Sequence, residues 1–337
     1  MKVAVLMSGG VDSTVAALLL KEQGHEVTGL TMINWNSEVA AQAADAAAVL
    51  HIPHIVIDLQ EKFQEKVINY FTSVYAQGQT PNPCVVCNRF IKFGSLLDYA
   101  LDLDFDVIAT GHYARIKYDD TRKRYLLKKG KDLAKDQSYF LYGLNQKQLK
   151  HTLFPLGELT KPEIRNIARE RNLEVAESKD SQEICFIAGD YRDFLQGRVK
   201  FKPGQVVDLQ GNVLGEHRGL PFYTVGQRKG LGISGGRPLY VVALDSENNR
   251  LILDDLEHLY ASSLTATNNN FIYYENLDNP LGVEARIRYR ASNAPALLTP
   301  QGDKILLQFD NPQRAITPGQ SVVYYLGEYV LGGGTIQ

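Results

Sequence analysis

The chain has 337 residues, 44% of them hydrophobic and 22% charged, and a formal net charge of −2 at pH 7. The length predicts two or three domains, and the composition is that of an ordinary globular protein. No apolar run approaches the ~18 residues that cross a bilayer, and the charge argues against a uniformly basic nucleic-acid-binding surface. We therefore expect a cytoplasmic protein with no membrane partner, whose three cysteines are reduced thiols, metal ligands or catalytic groups.

Strands and helices alternate through the first half of the chain. Lys2–Met7 is too short for a secretion signal and predicts a buried strand, which turns through residues 8–13 into a helix, Thr14–Gln23. The other strands predicted are Val27–Ile33, His54–Leu59 and Phe105–Thr110. The other helices predicted are Ser37–Leu50, Glu61–Tyr75, Phe90–Leu101 and one from the capping box Thr160–Glu163 to about Arg171. This alternation predicts an α/β fold with a doubly wound parallel sheet.

From about residue 202 the helical periodicity fades and turn signals multiply. Short alternating runs predict strands at Gln205–Asp208, Pro238–Leu244, Arg250–Leu253, Gly282–Tyr289, Lys304–Phe309 and Ser321–Leu326. Hairpin turns are indicated at 210–212 and 245–249. We expect a catalytic α/β domain at residues 1–200, a central β-rich domain at 201–260 and a C-terminal β domain or barrel at 261–337.

The loop Ser8-Gly-Gly-Val-Asp-Ser13 lies between the first strand and the first helix. Glycines let the backbone approach an anion, and the amides at a helix N-terminus point at it. The loop lacks the Gly-Lys-Ser/Thr of P-loop enzymes and does not fit the dinucleotide fingerprint. It resembles the PP-loop, which holds the pyrophosphate leaving group of ATP, and Asp12 would bind Mg²⁺ or order the loop. An ordinary strand–helix turn is the structural alternative.

Residues 115–135 contain nine Lys or Arg and three Asp. A solvated hairpin or a contact with a phosphate backbone would account for this excess. The cysteines form a second distinctive group. Cys84 and Cys87 stand in a proline-rich loop before a helix, where backbone amides lower a thiol pKa, whereas Cys185 between two apolar residues is also compatible with a buried hydrophobe.

Several blocks together resemble the tRNA-specific 2-thiouridylases, in the order seen in that family. Besides the loop 8–13, they are Pro81–Phe93, Ala109–Arg115, Lys135–Phe140, Asp180–Phe186, Tyr223–Gly230, Arg286–Arg290 and Thr317–Gln320. The resemblance runs from residue 3 to the C-terminus. It implies a PP-loop catalytic domain and a C-terminal barrel similar to a domain of elongation factor Tu.

The resemblance also implies an activity. Members bind the anticodon arm of tRNAs for Lys, Glu and Gln and replace the 2-oxygen of the wobble uridine with sulfur. ATP adenylates that oxygen and releases pyrophosphate, and a cysteine persulfide then delivers the sulfur as AMP leaves. By motif, Cys185 carries the persulfide and Cys87 is the nucleophile, and the two would form a disulfide when oxidised. An upstream sulfur donor, a cysteine desulfurase or a relay protein, would load Cys185.

Further roles follow from the matched motifs. The residues expected to bind ATP are Leu6, Met7, Ser8, Gly9, Gly10, Val11, Asp12, Ser13, Met32 and Gly111. Asn82, Pro83 and Cys84 would surround the flipped target base. The residues expected to contact tRNA are His112, Lys135, Asp136, Gln137, Arg288, Tyr289 and Gln320. Arg286, Arg288 and Arg290 would form a phosphate-binding stripe on one face of a strand, for which an exposed strand face is the alternative.

One position departs from the family pattern, because many members carry Asp where this chain has Cys84. Three cysteines also suffice to hold a [4Fe–4S] cluster with one open iron. Sulfide carried on a cluster at Cys84, Cys87 and Cys185 is therefore an alternative to the persulfide route. Other PP-loop synthetases and lysidine synthetase would leave the cysteines without a role, and a tRNA-binding module without catalysis is the non-enzymatic hypothesis.

Overall fold

The computed structural model describes residues 1–35, 38–178, 184–187, 189–233 and 237–337. The strands of the described residues are, in chain order, β1 (Lys2–Leu6), β2 (Glu26–Ile33), β3 (His54–Asp58), β4 (Val107–Ala109), β5 (Ala114–Asp119), β6 (Arg124–Lys129), β7 (Thr152–Leu153), β8 (Gly204–Val207), β9 (Val213–His217), β10 (Tyr240–Asp245), β11 (Arg250–Asp254), β12 (Tyr260–Phe271), β13 (Leu281–Arg286), β14 (Ala294–Gln301), β15 (Lys304–Arg314), β16 (Ser321–Leu326) and β17 (Tyr329–Ile336).

The α-helices of the described residues are α1 (Val11–Glu22), α2 (Glu38–Val49), α3 (Gln60–Phe63), α4 (Asn69–Ala76), α5 (Pro83–Val86), α6 (Leu96–Asp102), α7 (Gln146–Lys150), α8 (Lys161–Glu170) and α9 (Tyr191–Leu195). Two π-helical segments, Gln64–Ile68 and Cys87–Ser95, join α3 to α4 and α5 to α6. Single-turn 3₁₀ segments lie at Ser138–Phe140, Glu174–Glu177, Leu220–Phe222 and Leu256–Leu259.

The N-terminal sheet has the order β3-β2-β1-β4-β7, and all its strand pairs are parallel. Successive residues of β1 point to opposite faces, so Val3 and Val5 pack in one core and Ala4 in the other. The first core also takes in α1, α2 and α8, and the second takes in the helical segments between residues 60 and 102. The prediction of a parallel sheet covered on both faces is therefore confirmed.

The second half of the chain forms two further sheets. The smaller has the order β10-β11-β8-β9. The larger contains six antiparallel strands in the order β12-β15-β14-β13-β16-β17, and pairing of β12 with β17 closes them into a barrel. The small β domains and the C-terminal barrel expected from the sequence are therefore confirmed.

Most of the basic stretch 115–135 forms the hairpin β5–β6, which was one of the two interpretations of its sequence. Strand β6 pairs with β17 at the edge of the barrel. Several of its cations face carboxylates of the protein. Arg115 lies 2.9 Å and Lys128 2.8 Å from Glu328, and Lys129 lies 3.6 Å from Glu284. Part of the local positive charge is thus neutralised within the fold.

Most predicted elements lie within one or two residues of the observed ones, and the capping box of Thr160 and Glu163 is present. The prediction of a strand through Tyr289 was wrong, because β13 ends at Arg286. Strands β7, β9, β12, β14 and β17 were not predicted, and β5 and β6 were expected only as one of the two interpretations of the basic stretch. Ser37, at the start of a predicted helix, and residues 180–183 of the motif before Cys185 lie outside the described residues. Across the described parts of the chain, none of the helices has the length and apolarity needed to span a membrane.

Candidate active site

The loop between β1 and α1 is held by its own hydroxyl groups. The amide of Ser8 donates to Oγ of Ser13 at 3.2 Å, and Oγ of Ser13 donates to the carbonyl of Gly10 at 3.1 Å. Gly9 has φ +74°, and a Cβ there would lie 2.6 Å from Cβ of Gln42. A glycine is therefore required by both backbone conformation and space. The loop leads directly into the N-terminus of α1, whose first turn has amides free to bind an anion.

Asp12 is engaged by two side chains from distant parts of the sequence. Nζ of Lys161 donates to both carboxylate oxygens at 2.7 and 2.8 Å, and the hydroxyl of Tyr113 donates to Oδ1 at 2.7 Å. The side chain of Lys161 is only 8% exposed. In the sequence, Lys161 was noted only as part of a capping box, and no local pattern connects it to a loop 149 positions earlier.

A cavity of about 580 Å³ opens over this loop. One wall contains Ser8, Gly10–Ser13, Tyr113 and Lys161, and a second contains the segment Leu133–Gln137. The barrel contributes Arg286, Tyr289, Arg290 and Ala291. The structure thus brings four groups of residues expected from the sequence into one pocket: the loop, the segment 135–137, Tyr289 and two of the arginines.

The other residues expected to bind ATP lie around the loop 8–13 and at the carboxyl ends of the first two strands. A Cβ on Gly111 would lie 2.9 Å from the backbone carbon of Asp12, so the segment after β4 lies directly against the loop. Leu6 and Met32 lie near the carboxyl ends of β1 and β2. Met7 is buried, and a Cβ on Gly29 would lie 2.7 Å from its sulfur. The carboxyl ends of parallel strands are where ligands bind in such sheets.

The three cysteines are brought close together despite their separation in sequence, and all are free thiols. Cys87 is buried, Cys84 half-buried and Cys185 exposed. The charge on Cys185 raises the pKa of both Cys84 and Cys87, so the three sulfur atoms lie within reach of a direct Coulomb interaction. The sequence alone could place Cys185 near Cys87 only through the family resemblance.

Burial and Lys92 act on these thiols in opposite directions. Burial raises the pKa of Cys87 to about 12 and also raises the pKa of Cys84. Cys185 is exposed, but the protein atoms around it partly desolvate the thiol and raise its pKa as well. The ammonium of Lys92 lowers the pKa of each of the three. Lys92 stands five residues after Cys87, and the π-helical turn between them carries both on one side of the helix.

Asn34, immediately after β2, donates from Nδ2 to the sulfur of Cys185 at 3.8 Å. This hydrogen bond lowers the pKa of the Cys185 thiol and opposes the effect of burial. Neither Asn34 nor Lys92 was identified from the sequence as a site residue. The signal for Lys92 was present, since it lies within the matched block Pro81–Phe93.

His112, like the three thiols, lies within electrostatic reach of Lys92. Its Nδ1 is 2.7 Å from Oγ1 of Thr110, and its ring packs 5.7 Å from that of Phe93 and 5.9 Å from that of Phe154. Burial and the charge of Lys92 hold the pKa of His112 well below its usual range. The imidazole is therefore neutral at physiological pH.

Hydrogen bonds connect the segment before Cys84 to the barrel. Nε2 of Gln320 donates to the carbonyls of Thr80 at 3.2 Å and Pro81 at 2.9 Å. Nδ2 of Asn82 donates to Oγ of Ser321 at 3.2 Å, and Asn82 and Pro83 are buried. The barrel therefore fixes the backbone that presents Cys84.

Asp136 and Arg288, two residues expected to contact tRNA, form hydrogen bonds inside the protein. Asp136 is 2% exposed and accepts from the amides of Gly130 and Ser138 and from Oγ of Ser138. Nη2 of Arg288 donates to the carbonyls of Val225 and Ala315 and to Oγ1 of Thr317. Tyr289 packs against Phe140 at 4.5 Å, and Oε1 of Gln137 accepts from the amide of Tyr113.

The described residues contain no group of three or more His, Cys, Asp and Glu side chains arranged to hold a metal ion. Cys84, Cys87 and Cys185 alone would leave one iron of a [4Fe–4S] cluster open. The oxygens of Asp12 face Lys161 and Tyr113, so Asp12 is not free to bind Mg²⁺ in this arrangement.

Three family models match consecutive parts of the chain. They are described as a tRNA methyl transferase HUP domain at residues 1–189, a tRNA methyl transferase PRC-barrel domain at 192–255 and an aminomethyltransferase beta-barrel domain at 261–336. Together they cover the parallel sheet, the smaller β sheet and the barrel.

Similar proteins of known name match over their full length. The tRNA-specific 2-thiouridylase MnmA of Syntrophomonas wolfei is 56% identical over 100% of this chain and 100% of its own. The tRNA-specific 2-thiouridylase MnmA 1 of Caldanaerobacter subterraneus is 52% identical over 100% of this chain and 98% of its own. That of Moorella thermoacetica is 52% identical over 99% of this chain and 98% of its own.

Proposed function

The chain belongs to the tRNA-specific 2-thiouridylase family, and we propose that it replaces the 2-oxygen of a wobble uridine with sulfur in tRNAs for Lys, Glu and Gln. The reaction consumes ATP and gives 2-thiouridine, AMP and pyrophosphate. The anticodon arm of the tRNA is the substrate, and a cysteine desulfurase or a persulfide relay protein supplies the sulfur.

In the first step the uridine 2-oxygen attacks the α-phosphorus of ATP, and the bond to pyrophosphate breaks. The amides at the start of α1 and the hydroxyls of Ser8 and Ser13 hold the phosphates. Mg²⁺ would accompany the phosphates of ATP, since such sites commonly combine few protein ligands with substrate oxygens. The adenylated oxygen then leaves as AMP, which is a far better leaving group than hydroxide.

In the second step the terminal sulfur of a persulfide on Cys185 bonds to C2 of the uridine as the bond to AMP breaks. The Cys87 thiolate attacks the inner sulfur, so the bond between the two persulfide sulfurs breaks and its electron pair stays on the transferred atom. The protein is left with a disulfide between Cys87 and Cys185, which an external thiol must reduce before the next turnover. Asn82, Pro83 and Cys84 surround the target base.

The electrostatic effect of Cys185 on the pKa of Cys87, which requires the two side chains to be near each other, supports this route most directly. The exposed position of Cys185 suits a residue that must be loaded by another protein, whereas buried Cys87 suits a resolving thiol. The HUP and PRC-barrel family models mention methyl transfer, but methyl transfer gives no role to three clustered thiols. Sulfide carried on an iron–sulfur cluster at Cys84, Cys87 and Cys185 is the competing route.

Mass analysis of tRNA after incubation with ATP, Mg²⁺, free cysteine and a cysteine desulfurase, which supplies sulfur at the persulfide level, tests the proposal. The wild-type protein should form 2-thiouridine and release pyrophosphate only with unmodified tRNA. Cys185→Ser should still release pyrophosphate but form no 2-thiouridine, and full activity of Cys84→Ala would show that this thiol is dispensable. Absence of any tRNA-dependent pyrophosphate release would exclude thiolation, and stoichiometric iron in anaerobically purified protein would favour the cluster route.

A further inference from the structure

The pocket above the loop Ser8–Ser13 is closed on one side by the barrel. Arg286 ends β13, and Tyr289, Arg290 and Ala291 belong to the connection that follows it. All four line the same cavity as the loop. A phosphate held at the start of α1 would therefore lie in a cavity that the C-terminal domain helps to form.

The three arginines of this connection have different environments. Arg286 donates to Oδ1 of Asn293 at 2.8 Å and lies 3.6 Å from Asp136. Arg288 donates to two backbone carbonyls and a hydroxyl away from the cavity. Arg290 is exposed and forms no hydrogen bond or ion pair with any residue in the described ranges.

The backbone that carries Arg290 is nevertheless fixed. Arg286 and Arg288 hold one end of the connection, and Tyr289 packs against Phe140. The amide of Ala291 donates to the carbonyl of Arg288 at 3.1 Å and closes a turn around Arg290. An exposed guanidinium on a fixed turn loses less conformational freedom on binding than one on a mobile loop.

We propose that Arg290 is a phosphate-binding residue that the barrel places in the pocket above the loop Ser8–Ser13. The proposal rests on the function proposed above. A guanidinium binds phosphate oxygens through parallel N–H donors, and Arg290, unlike Arg286, lacks a carboxylate partner in the described structure that would compete. The phosphate belongs either to ATP or to the backbone of bound tRNA, and these two sources share the same chemistry.

A phosphate bound by Arg290 would also affect how the domains are held together. Arg290 and the loop belong to domains that meet across the cavity, so a phosphate bound by both joins the barrel to the parallel sheet. If ATP supplies it, nucleotide binding strengthens the contact between the domains before tRNA arrives. If tRNA supplies it, the barrel aligns the anticodon arm directly over the nucleotide.

The experiment compares Arg290→Ala, Arg290→Lys and the control Arg250→Ala in the full-length protein. Arg250 is exposed on β11 and does not line the cavity. Calorimetry measures the Kd of Mg²⁺–ATP without tRNA, and a filter-binding assay measures tRNA affinity across a salt series without ATP.

If ATP supplies the phosphate, Arg290→Ala raises the Kd of ATP about tenfold and Arg290→Lys recovers part of the loss. If tRNA supplies it, the Kd of tRNA rises, and the negative slope of log K against log salt becomes shallower by about 0.7 to 0.9. Equality of both constants in Arg290→Ala and Arg250→Ala would overturn the proposal. These assays measure binding and not thiolation. A protein that binds ATP and tRNA but does not thiolate tRNA would contradict the proposed function and leave the role of Arg290 to be decided by the binding constants.

Discussion

The side-chain amide of Gln320, immediately before the barrel strand β16, donates to the carbonyl of Pro81 at 2.9 Å across 239 positions of sequence. Two residues after Pro81 the helix α5 begins, and Cys84 lies in its first turn. The barrel thus holds the segment that presents a thiol, in addition to any contact it makes with RNA. Correct placement of this segment depends on the C-terminal domain.

Gln320→Ala should lower the rate of 2-thiouridine formation about tenfold, since it removes two hydrogen bonds that order residues 80–81. Hydrogen exchange of residues 79–83 should become faster, while the Kd of ATP stays unchanged because the loop 8–13 is not touched. The rate is measured by mass analysis of tRNA under saturating ATP.

Gln308→Ala is the matched control, because Gln308 is an exposed residue of β15. It should change neither the thiolation rate nor the exchange of residues 79–83. Unchanged exchange in Gln320→Ala, combined with weaker tRNA binding, would instead assign Gln320 a direct contact with tRNA alone.

Lys92→Met should raise the pKa of the Cys185 thiol further, because Lys92 lowers it in the wild-type protein. A thiol whose pKa lies above its usual value is protonated near neutrality, so reactivity rises as the pH increases towards that pKa. The rate of iodoacetamide alkylation of Cys185 should therefore rise with pH, with its midpoint at higher pH in Lys92→Met than in wild type. The measurement uses protein in which Cys84 and Cys87 are alanine.

Lys92→Arg retains the positive charge and should leave the midpoint close to that of wild type. Asn34→Ala removes the hydrogen bond to the sulfur and should also shift the midpoint upward. Identical midpoints in Lys92→Met and Lys92→Arg would mean that the charge of Lys92 does not reach Cys185.

The parallel sheet could be predicted because its strands are continuous apolar runs between turn signals. The strand β17 could not, since Gly332, Gly333 and Gly334 resemble a loop. In the barrel a Cβ on Gly332 would lie 2.2 Å from the carbonyl oxygen of Asn270, so close strand packing requires glycine there. The π-helical turns likewise leave no local signature in the sequence. The domain boundaries near residues 200 and 260 stay predictions.

The loop residues of the site could be predicted because adjacent glycines between a strand and a helix form a local pattern. The partners of that loop could not, since Lys161 and Tyr113 reach Asp12 from 149 and 101 positions away. The roles of Arg288 and Asp136 also depend on such distant contacts. Alternating arginines suggested one exposed face, whereas the end of β13 at Arg286 gives each arginine its own environment.

Lys161→Met should lower the free energy of unfolding by about 2 kcal/mol, because Asp12 keeps only one of its two side-chain partners in a partly buried position. It should also weaken ATP binding, since a cation is removed from the pocket. Urea unfolding and calorimetry measure the two effects separately.

The double variant Asp12→Asn with Lys161→Met should regain part of the lost stability but none of the ATP affinity. Lys147→Met breaks an exposed pair with Asp98 and should cost no more than about 1 kcal/mol. A loss in Lys161→Met equal to that in Lys147→Met would show that the pair with Asp12 contributes little to folding.

Gly9→Ala should abolish measurable ATP binding and lower the melting temperature. Two effects combine there: φ is +74°, and the added Cβ would lie 2.6 Å from Cβ of Gln42 in α2. Gly24→Ala separates them, because φ is +81° while nothing lies within 4 Å of the added Cβ. Gly24→Ala should therefore cost about 1 kcal/mol of stability through backbone strain alone and leave ATP affinity intact. Equal losses of stability in the two variants would mean that α2 moves aside and relieves the clash with Gln42. Retained ATP binding in Gly9→Ala would mean that the loop still binds phosphate after its backbone has shifted.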